Sequence, residues 1–138
     1  MDEQRPRVLI VEEDPDLAMA TIHECLEAGL EPKLCRGPGS TSECPGMRSE
    51  GCPRTHRIEA TLIGMAGASL RAAAPSCVGG RLLLCGNRPL AGRVTEEVLG
   101  PDARLPYPYS PKDAAGILFR MVKEQRKERD WERIRGAS

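Results

Sequence analysis

The sequence predicts an α/β protein built on a parallel sheet, and three observations carry that expectation. The opening stretch RVLIVEEDPD, residues 7 to 16, runs a short apolar strand into Glu12, Glu13 and Asp14, and a helical pattern starts at once from Pro15. Two later runs, residues 58 to 63 and 81 to 85, read as further strands, the first central if the sheet is parallel and the second buried, as the strands of a parallel sheet are. Stretches with apolar residues at helical spacing lie between and after these runs, so strand and helix alternate along the chain. In such sheets ligand chemistry collects at the carboxyl ends of the strands, which puts Glu12 and Glu13 where a site would be.

Each element has its own signal. After the first strand, Leu17, Ala18, Thr21, Ile22, Cys25, Leu26 and Leu30 recur at helical spacing, with Gly29 placed to end the helix. His23 and Cys25 lie on or near this helix and are expected to pack or face solvent rather than to ligate. Residues 32 to 36, PKLCR, form a short second strand, assigned to the sheet edge because Pro32 removes a ladder donor. Residues 37 to 57, GPGSTSECPGMRSEGCPRTHR, carry four Gly, three Pro and two Cys-Pro pairs, and no ordinary helix or strand fits them. A loop that long inside a compact domain is either mobile or tied down.

The pattern resumes with a third strand from Ile58 to Ile63, central if the sheet is parallel, and a short helix over residues 68 to 75 stopped by Pro75. Arg81 to Cys85 is the fourth strand, between Gly79-Gly80 and Gly86. Pro89 to Leu99 supplies the next helix, and Ala103 to Leu105 a short fifth strand. Ser110 is placed to cap a last helix from Pro111, whose buried stripe is Ala114, Ile117, Leu118, Met121 and Val122. The charged tail can extend this helix, with Glu124 and Glu128 pairing with Lys and Arg at helical spacing.

At 138 residues one domain is the default, burying on the order of 70% of the unfolded chain's surface. Lys plus Arg and Asp plus Glu number 20 each, so no global field draws the chain to nucleic acid or an anionic membrane. No apolar run approaches the ~20 residues of a membrane span or the core of a signal peptide, and a cytoplasmic protein is expected. In that compartment six cysteines are more often free, metal-bound or redox-active than locked in disulfides. With one Phe, two Tyr and one Trp, the core must come from Leu, Ile, Val, Ala and Met, and stacking platforms for RNA or single-stranded DNA are lacking.

Two motifs, RVLIVEEDPDLA at the first strand and ARLPYPYSPKDAAGIL at the fifth strand and last helix, resemble those of a response-regulator receiver domain. The resemblance implies a doubly wound five-stranded parallel sheet of order 2-1-3-4-5 over residues 1 to 123. The Cys-rich loop, residues 37 to 57, is then an insertion between strands 2 and 3, and residues 124 to 138 are a charged helical extension or tail. In that family the paired acids hold magnesium beside a phosphorylatable aspartate at the end of the third strand. A hydroxyl residue ends the fourth strand, and a Lys precedes the Pro of the fifth. Aligning EATLIG on the third strand puts Gly64 at the acceptor position, Cys85 or Gly86 in place of the hydroxyl residue and Tyr107 in place of the Lys. Glu12, Glu13, Gly64, Cys85 and Tyr107 thus form a degenerate site for which neither phosphorylation nor magnesium is expected, and the acids are expected to cap a helix or face water.

The spacing of Cys35, Cys44, Cys52 and His56 resembles a three-cysteine, one-histidine zinc finger, with a longer middle gap. Zinc takes such ligands in a tetrahedron and contributes most to a loop too polar to fold alone. Free or redox-responsive thiols, and a haem or iron–sulfur site at the Cys-Pro motifs, remain alternatives. Neither His23 nor His56 sits in a nucleophile motif, and no enzyme is expected. The leading expectation is a phosphorylation-independent regulatory protein acting on a protein partner or a second copy. Receiver domains commonly use the fourth helix, fifth strand and fifth helix for such contacts, and here that surface includes Tyr107 and Tyr109. The alternative is a thiol, metal or haem sensor.

Overall fold

Val8, Leu9, Ile10 and Val11 leave β1 (Arg7–Val11) without a polar face, and all four are buried inside the sheet. In this computed structural model, which describes residues 5–35, 57–64, 79–86 and 102–136, four further strands join it. These are β2 (Glu31–Cys35), β3 (Ala60–Gly64), β4 (Arg81–Cys85) and β5 (Ala103–Leu105), all parallel, in the order β2-β1-β3-β4-β5. Pro32 lies opposite Val8 on the edge strand, where its missing donor is tolerated. The third strand starts later than its apolar run suggested. Ahead of it the Glu59 N–H donates to the Arg7 carbonyl and the Glu59 carbonyl accepts from the Arg81 N–H, which leads the chain into the ladder.

The helix α1 (Pro15–Glu27) begins with Pro at its first position, behind Asp14. The Asp14 carboxylate accepts the N–H groups of Asp16 at 2.9 Å and Leu17 at 3.2 Å, two of the donors a helix start leaves unpaired. Asp14→Ala is expected to lower the unfolding free energy by about 1 kcal/mol, read from the urea midpoint, with Asp14→Asn losing less. The helix ends in a Schellman arrangement. Gly29 takes φ +85°, its N–H donates to the Leu26 carbonyl at 3.1 Å, and the Leu30 N–H donates to the Cys25 carbonyl at 2.9 Å. Leu30 is fully buried there and leads into β2, whereas Leu26, placed on the buried stripe by spacing, is exposed.

Ser110 stands ahead of α2 (Pro111–Gly136), its hydroxyl oxygen accepting the Asp113 N–H at 3.3 Å. Ala114, Ala115, Leu118, Met121 and Val122 form the buried stripe of α2, with Ile117 partly buried beside it. This stripe and Cys25 of α1 pack against Val8, Ile10, Ala60, Leu62, Leu83 and Cys85 on one face of the sheet. Leu9, Val11, Ile63, Leu82 and Leu84 alternate with them and belong to the other face, with Cys35 and Ile58. The helices expected over residues 68 to 75 and 89 to 99 lie outside the described residues. No helix among the described residues is long and apolar enough to cross a membrane.

α2 runs without a break through residue 123 to Gly136. Glu124 and Glu128 do not pair along the helix as their spacing suggested, but reach across to Arg81 of β4, at 3.2 and 2.6 Å. Arg126 in turn forks onto the Glu59 carboxylate just ahead of β3, with contacts of 2.8 and 2.9 Å. The first turns of the charged segment are therefore held against the amino ends of β3 and β4.

Candidate functional site at the carboxyl ends of the strands

The register brings the sequence-selected residues together. Val11 lies opposite Ile63, Gly64 opposite Cys85 and Cys85 opposite Leu105, so β1, β3, β4 and β5 end side by side. Glu12 follows β1, its N–H donating to the Cys35 carbonyl at 3.0 Å, and its side chain is 1% exposed. Both carboxylate oxygens are engaged. Oε1 accepts from the Tyr109 hydroxyl at 2.9 Å, and Oε2 accepts from the Tyr107 hydroxyl at 2.9 Å and the Asp14 N–H at 3.0 Å. The two tyrosine rings meet edge to face, with centroids 5.9 Å apart. Charge-assisted bonds of this kind compensate a carboxylate for the water it has lost.

Gly64 makes room for this arrangement. A Cβ built at residue 64 would overlap Glu12 Oε1 and stand 3.0 Å from its Cδ and 3.2 Å from Tyr109 Cε1. The carboxylate thus fills the space that a side chain at the end of β3 would use. Of the acid pair, Glu13 is exposed, but Glu12 neither faces water nor caps α1 as expected; the helix cap is Asp14. The cause is the pair of tyrosines, which supply Glu12 with buried donors.

Electrostatics keep these groups in one protonation state. Burial, followed by the hydrogen bond to Glu12, pushes the Tyr107 hydroxyl well above its ordinary range. Burial is also the main cause for Tyr109, opposed by Thr21 and reinforced by Glu12, and the net direction is again upward. The Cys85 thiol is pushed up to about 12 by burial and then by the Glu12 charge. Both hydroxyls therefore stay protonated and donate, while Cys85 is a buried thiol rather than a nucleophile.

Tyr109, expected on a partner surface, is 3% exposed and belongs to the core, because its ring packs beside the last helix and its hydroxyl meets Glu12. Tyr107 is only half-buried. Of the four residues considered for zinc, Cys44, Cys52 and His56 lie outside the described residues; Cys35 ends β2 as a buried free thiol near Leu9 and Val11. Among the described residues no cluster of three or more His, Cys, Asp or Glu is placed to hold a metal ion. At the strand ends Glu12 already spends both oxygens on hydrogen bonds, and Gly64 carries no side-chain ligand. The role of Tyr109 as a donor was missed in the sequence. The available signal was that both tyrosines of an aromatic-poor chain fall within three residues, beside the predicted acid site.

No family model matches the chain, and no curated protein matches it. Solved structures do. A response regulator receiver domain protein from Methanospirillum hungatei is 18% identical, with a TM-score of 0.59 over 91% of this chain and 99% of its own. The receiver domain of an HD domain-containing protein from Pseudomonas fluorescens is 11% identical, with a TM-score of 0.61 over 94% of this chain and 96% of its own. A response regulator from Burkholderia pseudomallei, determined with a phosphorylated aspartic acid, a calcium ion and citrate, is 16% identical, with a TM-score of 0.56 over 92% of this chain and 74% of its own. Identities this low establish the fold, and the fold is that of receiver domains.

Proposed function

We propose that this chain is a receiver-fold regulatory module that works through protein contacts without being phosphorylated. The observation that carries the reading is the Glu12 carboxylate lying in the space above Gly64, held by Tyr107, Tyr109 and the Asp14 N–H. Phosphoryl transfer to a carboxylate needs a nucleophilic acid, a divalent cation and a countercharge for the phosphoryl oxygens. The Burkholderia neighbour carries a phosphorylated aspartic acid, whereas this chain presents glycine at the end of β3 and tyrosine ahead of Pro108. Glu12 does not substitute as acceptor, because both its oxygens are enclosed and bonded.

A module of this kind transmits a signal by what it binds. The rim around Tyr107, the exposed Trp131 and Ile134 of α2 and the exposed Met19 and Leu26 of α1 offer apolar groups to a protein partner. Incubation with acetyl phosphate and magnesium is expected to give no acid-labile adduct by intact-mass spectrometry. A stoichiometric phosphoryl adduct mapped to Glu12, Glu13 or Asp14 would overturn the reading.

A further inference from the structure

A cavity of about 550 Å³ opens at the opposite end of the sheet, beside the start of β1 and the C-terminal half of α2. Six arginines line it: Arg5, Arg7, Arg57, Arg126, Arg129 and Arg133. Among the described residues the acids in its wall are Glu59 and Asp130, and its apolar residue is Ile58. Glu59 is committed to Arg126 through the two-point fork, with Arg129 3.8 Å away. Arg7 shares Glu31 at 3.3 Å. Arg5, Arg57 and Arg133 have no carboxylate partner among the described residues. The result is a concave surface with excess positive charge in a chain whose formal net charge is zero.

Part of this wall is pre-organised. Glu59 is nearly buried, so the guanidinium it holds has a fixed orientation, and α2 carries Arg129 and Arg133 on the same helix. With its amide oriented to satisfy both groups, Gln125 donates to the Glu59 carbonyl and accepts from Arg129, each at 2.8 Å. Guanidinium forks match the paired oxygens of phosphate, and several forks around one cavity favour a ligand with several anionic groups. The volume is that of a small-molecule pocket. Among the described residues of the wall there is no aromatic ring for a base to stack on, so the anionic part supplies the recognition.

We infer that this arginine cavity binds a compact polyphosphate, either free or as the phosphate chain of a nucleotide. It lies at the amino ends of the strands, remote from Glu12 and Gly64, so it stands or falls independently of the reading of that site.

Calorimetry on the full chain at low salt tests it, with tripolyphosphate, orthophosphate and ATP as titrants. Tripolyphosphate is expected to bind at least about tenfold more tightly than orthophosphate, and to weaken as salt screens the charges. Arg57→Ala combined with Arg133→Ala should cost about tenfold or more in affinity, since both groups are exposed and have no carboxylate partner among the described residues. Circular dichroism should remain unchanged in that variant, and Lys112→Ala, at the other end of α2, should bind as the parent does. ATP binding as tightly as tripolyphosphate assigns the nucleotide source; ATP failing where tripolyphosphate binds assigns the free polyphosphate. No heat at millimolar tripolyphosphate, or binding that the double arginine variant leaves unchanged, overturns the inference.

Discussion

Gly64→Ala is expected to cost about 2–3 kcal/mol of unfolding free energy, because its Cβ displaces a buried carboxylate from charged hydrogen bonds. The backbone of Gly64 is not in the left-handed region, so the substitution meets no conformational penalty of its own. In a strand, Ala in place of Gly should even gain about 0.5–1 kcal/mol where there is room. Here the overlapping atom is Glu12 Oε1, and moving it breaks the Tyr109 contact in a closed corner. The penalty should therefore depend on Glu12. In a Glu12→Ala background, itself destabilised by the loss of three donors' partner, the added cost of Gly64→Ala should fall below about 1 kcal/mol, a coupling large enough for a double-mutant cycle. Glu12→Gln keeps the length of the side chain and should keep the penalty, which separates volume from charge. Equal costs in the parent and Glu12→Ala backgrounds, by urea denaturation, would sink the idea that Glu12 fills the space of a residue-64 side chain.

β1 and β4 were legible because each is a short, largely apolar run with a distinct boundary. Val8 to Val11 ends at Glu12, and Arg81 to Cys85 ends at Gly86. The helix stop at Gly29 was equally readable, since only a residue free to take positive φ suits that position. Side-chain destinations were not. Glu12 finds its donors 95 and 97 residues away, and Glu59 finds Arg126 at a separation of 67. Helical periodicity predicted partners for Glu124 and Glu128 three or four residues away, but Arg81 across the sheet won, since α2 lies close against β4. Charge counts hid the arginine cavity for a related reason. A neutral total is compatible with a local excess once the fold gathers residues 5, 7, 57, 126, 129 and 133.

Raising the pH from 9 towards 12 is expected to unfold the protein cooperatively, and two buried thiols should set the steepness. Cys25 and Cys85 are both fully buried in the core between the helices and the sheet. Burial pushes each thiol from 9.0 up to about 12, with the neighbouring charges of Glu24 and Glu12 adding to the shift. An unfolded chain releases these protons near pH 9, while the folded chain holds them to about 12. Unfolding therefore releases protons in that window, and the stability these thiols contribute, complete below pH 9, is lost as pH rises through it. The slope is about 1.4 kcal/mol per pH unit per thiol, so two thiols can remove an amount comparable to a domain's whole stability of roughly 5–15 kcal/mol. Tyr107 and Tyr109, raised in the same sense, add to the loss above pH 10. Urea midpoints measured at intervals from pH 7 to 12 should be flat up to about 9 and then fall steeply. Replacing Cys25 and Cys85 by Ala should lower the midpoint at pH 7 through lost packing, yet flatten the alkaline fall. A double variant whose midpoint fell as steeply as the parent's between pH 9 and 12 would show that these thiols do not govern the alkaline limit.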